Sequence, residues 1–258
     1  MKRNAGYWQK RIIFRRCCAI TVRILHPPAE LPSNDWNGSA MIYKEIRANE
    51  EVNALLDKGN KNLGLLGFTD HSKAHCTYVA ETAGHILKKF NYDAHDIELA
   101  KIAGYMHDIG NAINRTHHAE YGSLLANEIL RSSDLSTQDR ITVVSAIANH
   151  DESTGGAVDA ISAALIIADK TDVRRSRVRQ KPKAAFDIHD RVNYAVTDQT
   201  LKINAEKRVI SLNLQLDTGI CSMYEYFEIF LGRMLMCRGA AELLDATFKL
   251  TANGAKVL

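Results

Sequence analysis

The sequence predicts a mainly α protein, a helical bundle followed by a small C-terminal α+β unit. Three observations carry this. From Met41 to about Val196 the apolar residues recur at helical spacing. After Asp198 the period drops to two, most clearly in Arg208–Leu216. The chain then closes on Asn253-Gly254 between two short runs, a strong hairpin signal. With 258 residues, 46% hydrophobic and 24% charged, the chain is long enough to bury a core without disulfides. The same composition excludes a disordered, collagen-like or disulfide-scaffold protein.

Taken in order, Met41 opens a run in which Ile42, Ile46, Val52 and Leu55 fall at near-helical spacing. His75–Phe90 places Val79, Ala83 and Ile86 on one stripe. Ile97–His107 repeats Leu99, Ile102 and Met106, and Gly110 is expected to stop that helix. Tyr121–Arg131 carries Leu124, Leu125 and Ile129. Ser136 reads as an N-cap ahead of Ile141, Val144 and Ile147. Ala157–Val173, rich in Ala and Ile, predicts a buried helix, and Ile188–Val196 a short one.

Beyond Asp198 the pattern alternates. Leu201 and Ile203, then Ile210, Leu212, Leu214 and Leu216, predict a hairpin with one wet face, turning near Ala205–Lys207. Ser222 with Glu225 forms a capping box that opens a long amphipathic helix to about Leu244. The expected organisation is an atypical arm over 1–40, a helical domain over 41–197 and an α+β unit over 198–258.

The net charge of +3 is unevenly spread, since the first forty residues carry seven basic and two acidic side chains. The rest is close to neutral, so a nucleic-acid partner is not expected. Three readings of the arm stand side by side: a targeting peptide, a loose arm, or sequence upstream of a true start at Met41. The five cysteines form no CxxC pair, which points to reduced thiols and a cytoplasmic setting. Arg15, Arg16 and Arg23 break the one long apolar run near the N-terminus, so no membrane association is expected.

The chemistry lies in the placement of the histidines. His75, His107, His118 and His150 fall at or near the ends of separate predicted helices, Asp108 follows His107, and Asp169 sits within the apolar run ALIIADK. A buried carboxylate needs a cation, a hydrogen-bond network or an exit to water. Four imidazoles and two carboxylates make a borderline N/O donor set suited to transition metals rather than calcium.

In this order the residues resemble the HD-domain metal-dependent phosphohydrolases. His75 and Val79 are similar to the family's first-helix His-x-x-x-Val, and His107-Asp108-Ile-Gly110 to its central segment. His118 and Gly122 resemble the His-x-x-x-Gly of members with extra histidines, and Ala168-Asp169-Lys-Thr-Asp172 the closing helix. The resemblance covers roughly residues 68–179. It implies that His75, His107, Asp108 and Asp169 hold one divalent ion (Mn, Fe, Co, Ni, Zn or Mg) and that His118 and His150, with Asp108 bridging, hold a second.

Two departures are visible. Asn111 stands where many members carry a lysine, and Asn149 stands where the cyclic-dinucleotide phosphodiesterases of the HD-GYP group have another histidine. No Gly-Tyr-Pro follows His150, which separates this chain from that group.

The implied activity is hydrolysis of a phosphate monoester or diester, a nucleotide among the candidates. Two alternatives remain: a regulatory module that binds without turnover, and a dinuclear-iron oxygenase on the same frame. Around the ligands, Asp108 is read as catalytic as well as ligating. His71, Lys73 and Arg174 are candidates to face the phosphoryl group. Asp172 is expected to orient a ligand, His117 to be a surface neighbour of His118, and His189-Asp190 to be ordinary helix surface. Arg208–Leu216 is expected at an exposed sheet edge, where it would pair with a second copy to give a homodimer.

Overall fold

The computed structural model describes residues 42–179 and 188–258; the arm over 1–40 and the candidate start at Met41 lie outside them. The chain runs through α1 (Ile42–Ala48), α2 (Glu50–Leu65), α3 (Lys73–Lys89) and α4 (Ala94–Met106). A short 3-10 helix (Ile109–Ala112) leads to α5 (His118–Ile129), α6 (Thr137–Ala148), α7 (Ala160–Lys170) and α8 (Ile188–Ala195). Then come β1 (Val196–Asn204), β2 (Val209–Leu216), α9 (Met223–Leu243), β3 (Thr247–Ala252) and β4 (Ala255–Lys256).

Local side-chain chemistry sets most of the boundaries. Asn49 splits the first apolar run into two helices, its Oδ1 accepting from Val52 N at 3.0 Å. Ser136 caps α6 as expected, accepting from Asp139 N at 3.1 Å. The buried helix α7 starts at Ala160, not at Ala157. Asp159 Oδ1 accepts from Ser162 N at 2.7 Å while Ser162 Oγ accepts from Asp159 N at 2.9 Å, so this reciprocal pair fixes the first turn. The same helix stops at Lys170, short of Val173, and that turn carries Asp172 back beneath α3. Ser222 and Glu225 form the expected capping box of α9.

Helix α7 is the centre of the fold. Every residue from Ile161 to Ala168 is buried. It packs on α3, α4 and α6, and α9 lies against it as well. Helices α3 and α4 meet closely because Gly104 has no side chain: a Cβ there would lie 2.7 Å from Ala80 Cα.

The sheet has the order β1-β2-β3-β4. β1 and β2 form the expected hairpin, with Leu201 opposite Leu212. β2 runs parallel to β3, joined by the α9 crossover, and pairs Leu212 with Leu250. β3 and β4 form the hairpin read from Asn253-Gly254. The apolar face of β2, Ile210, Leu212, Leu214 and Leu216, is buried.

The expected edge position of Arg208–Leu216 is incorrect. β2 is paired on both sides, and β1 and β4 hold the edges. Alternation reports a strand with one buried face and says nothing about its lateral neighbours, so the route to a dimer through β2 is closed. Among the described residues no helix is long and apolar enough to cross a membrane.

Candidate metal centre

The six predicted ligands come from five helices and their ends, and they meet. His75 lies in the first turn of α3, His107 caps the C-terminus of α4, and Asp108 precedes the 3-10 helix. His118 is the first residue of α5, His150 follows the cap of α6, and Asp169 is in the last turn of α7. His75 Nε2 is 3.2 Å from Asp169 Oδ1 and 3.8 Å from Asp108 Oδ2. His107 Nε2 is 3.2 Å from Asp108 Oδ2 and 3.6 Å from Asp169 Oδ1. On the other side of Asp108, its Oδ1 is 3.8 Å from His118 Nε2. The His118 and His150 rings meet edge-to-face with centroids 5.0 Å apart.

Each histidine is held by its other nitrogen. His107 Nδ1 donates to Gly104 O at 2.8 Å, His150 Nδ1 to Ile147 O at 2.6 Å and His118 Nδ1 to Arg115 O at 3.1 Å. His75 Nδ1 donates to Asp172 Oδ2 at 2.8 Å. These acceptors fix the tautomer, so the Nε2 lone pairs turn toward the carboxylates. A lone pair facing a carboxylate is repulsive unless a cation lies between them. His75 Nε2, His107 Nε2 and Asp108 Oδ2 are buried with no hydrogen-bond partner. The donor set therefore fits a divalent ion.

The protonation tendencies show the same demand for a cation, with a proton on His107 Nε2 able to meet it in place of an ion. Burial alone would depress the His107 imidazole, but Asp108 and Asp169 outweigh it and push it up to about 10. Burial, with His107 and His118 close by, pulls His150 down to about 3. Burial also opposes ionisation of Asp169, yet Lys170 and His107 hold it well below the usual carboxylate range. The cluster draws positive charge inward. Cys76 also lies close to His107 and Asp108, but burial pushes its thiol up, which leaves it a poor donor.

Asp172 binds His75 as expected of an orienting residue, and its carboxylate is itself held by Arg174 Nε at 2.5 Å and Nη2 at 2.9 Å. Asp172→Asn is expected to weaken Mn(II) binding by about 10–100-fold. Titration of Mn(II) into both proteins checks this, and equal affinities would leave Asp172 with a packing role only.

A cavity of about 220 Å³ opens over the ligands. His71 lines it, with Nδ1 donating to Thr69 O at 2.9 Å. Burial lowers its imidazole, so His71 is a neutral group there. Two predicted phosphate contacts are not brought to this cavity. Lys73 pairs with Asp57 on the surface at 2.9 Å. Arg174 folds onto Asp172 and stacks over the Tyr78 ring, 4.0 Å from its centroid. In both cases a nearer carboxylate captured the cation.

Their place is taken by Arg177, in the 3-10 turn Arg175–Arg177, and by three residues not singled out from the sequence: Arg115 before α5, and Phe230 and Arg233 on α9. Arg174, Arg175, Arg177 and Arg179 form one basic run in the sequence, from which one or two phosphate contacts are expected, and only its inward position separates Arg177 from Arg174. His189, read as ordinary surface, lines the cavity, and Asp190 beside it is buried. His117 is exposed and faces Glu120 at 3.4 Å, while His118 is buried.

An HD-domain family model matches residues 73–192. That span contains all six ligand candidates and ends before α9. An uncharacterized protein of Methanocaldococcus jannaschii is 30% identical over 210 residues, covering 72% of this chain and 80% of the relative. With imidazoles and carboxylates converging from the ends of a helical bundle, the chain belongs to the HD-domain superfamily of metal-dependent phosphohydrolases.

Proposed function

We propose that this protein hydrolyses a phosphate ester at the centre formed by His75, His107, Asp108 and Asp169. The observation that carries the reading is the orphaned, buried set of His75 Nε2, His107 Nε2 and Asp108 Oδ2 beneath a cavity rimmed by cations. A divalent ion held there would supply Lewis acidity toward a phosphoryl oxygen and ionise water near neutral pH.

The chain's own residues bind and orient the ester. Arg177 spends its hydrogen bonds on two carbonyls, Asp70 O at 3.0 Å and Asp172 O at 2.8 Å, and so carries its charge to the cavity rigidly. Lys170 is different: its ammonium is shared between Glu152 at 2.6 Å and Asp169 at 2.9 Å. It holds the Asp169 carboxylate in place. Arg233 reaches the rim from α9 and is steadied by Glu152 at 2.8 Å. Phosphoryl charge in the cavity thus meets guanidinium groups set on two sides.

The test pairs metal content with turnover. Full-length protein is reconstituted with Mn, Fe, Co, Ni, Zn or Mg, and p-nitrophenyl phosphate and bis-p-nitrophenyl phosphate are assayed. Bound metal with turnover of either ester is expected, and the preferred ester gives the substrate class. Bound metal without turnover of either would replace this reading by that of a regulatory module. Oxygen uptake with a polyol by the iron-loaded protein, without phosphate release, would favour the oxygenase.

A further inference from the structure

The two ligand groups around Asp108 are not equivalent. On the His75 and His107 side, the inward atoms are buried and unanswered. On the His118 side, where Asp108, His118 and His150 could also hold an ion, two of the three donor atoms already have partners. Asp108 Oδ1 accepts from Asn111 Nδ2 at 2.7 Å. His118 Nε2 lies 3.3 Å from Arg115 Nη1, which also reaches Asn111 Oδ1 at 3.5 Å.

The roles in that contact are unambiguous. His118 Nδ1 donates to Arg115 O at 3.1 Å, so Nε2 is the acceptor, and a guanidinium has only donors to offer. The Arg115 guanidinium also lies over the Phe68 ring, 5.6 Å from its centroid. Asn111 serves both partners, giving a hydrogen to Asp108 and offering its oxygen to Arg115. A lysine at 111 could do only the first of these.

We infer that Arg115 is the second cation of this centre, its guanidinium occupying through His118 Nε2 the role that a second metal ion would have. The inference rests on the proposed metal site at His75, His107, Asp108 and Asp169. A divalent ion approaching His118 and His150 must displace the guanidinium from His118 and then remain near a fixed positive charge. The native centre therefore holds one ion tightly. Arg115 supplies the remaining positive charge, in a form that does not exchange with the medium and forks toward phosphoryl oxygens.

The test is metal stoichiometry, read without turnover. Mn(II) is titrated into chelator-treated full-length protein and followed by equilibrium dialysis and electron paramagnetic resonance. The wild-type protein and Arg115→Lys should each take one tightly bound, magnetically isolated Mn(II). Arg115→Gln should take a second, coupled to the first, with second-site affinity raised by roughly a hundredfold. Adding His118→Ala to Arg115→Gln should remove that second ion.

Magnetic coupling separates this site from the more exposed Asp93, His95 and Asp96 group, whose ion would be isolated. Two coupled, tightly bound Mn(II) ions in the wild type would overturn the inference, with no variant needed. So would an Arg115→Gln protein that folds and still takes one. No tight Mn(II) in any of the proteins would overturn the metal-site reading beneath it.

Discussion

Asp108→Ala is expected to strip the centre of its metal and to lower ester turnover by about a thousandfold. Asp108 is the residue shared by both ligand groups, 3.2 Å from His107 Nε2 through Oδ2 and 3.8 Å from His118 Nε2 through Oδ1. Without it, one carboxylate, Asp169, remains to balance a divalent ion at the inner site, and a single carboxylate with two imidazoles is a weaker, less charged set. Losing the several kcal/mol that a metal contributes to the transition state corresponds to roughly three orders of magnitude in rate.

Asp108→Asn separates charge from shape. It keeps the volume and one carbonyl oxygen while removing the negative charge, and it should lose metal almost as completely. The fold should survive both changes, because the apolar core runs through most of the helices and the sheet and does not depend on this carboxylate. Metal content by elemental analysis, turnover, and circular dichroism together check the prediction. A folded Asp108→Ala protein that retained its metal and a tenth of its turnover would refute the assignment.

Gly110→Ala should have the second largest effect, this time on the fold as well as the site. A Cβ at Gly110 would lie 2.0 Å from His118 O and 2.5 Å from Gly122 N. Both are backbone atoms of α5 and cannot rotate away, so the 3-10 helix and α5 must separate. Overpacking of this kind costs about 1–3 kcal/mol and sometimes more, and a backbone clash belongs at the upper end. The melting temperature should fall by roughly 6–12 °C, given about 2–4 °C per kcal/mol in a chain of this size.

The same separation shifts Asp108, which leads into that 3-10 helix, relative to His75 and His107. Metal affinity should fall along with stability. Gly122→Ala is the control: its Cβ would meet its nearest neighbours at 3.3–3.4 Å, so a much smaller loss is expected. Equal melting temperatures for Gly110→Ala and wild type would remove close packing as the reason for this glycine. Gly110 does not act as the helix stop expected from the sequence. α4 ends earlier, at Met106, and the glycine serves the approach of α5.

The candidate ligands are legible in the sequence through the order of motifs shared with the HD family, and their orientation in the fold is largely local. His107, His118 and His150 each donate through Nδ1 to the carbonyl three residues earlier, Gly104, Arg115 and Ile147. A histidine at a helix end with that bond has its other nitrogen directed by its own segment. The helix and strand periods were legible for a similar reason, since burial on one face imposes a repeat on neighbouring residues.

The sequence by itself thus determined the helical class, the strand and capping signals of the C-terminal unit, and the six His and Asp residues that the fold gathers at the candidate centre. Tertiary structure alone decided which cations face the cavity. Arg174 and Arg177 are three residues apart in one basic run, yet one is captured by Asp172 and Tyr78 and the other turns inward. Arg233 arrives on α9, and its partner Glu152 is 81 residues earlier. The interior placement of β2 was equally invisible, because it depends on a parallel crossover to β3. A flexible cation goes to whichever carboxylate, carbonyl or imidazole the fold brings nearest, and no spacing along the chain encodes that choice.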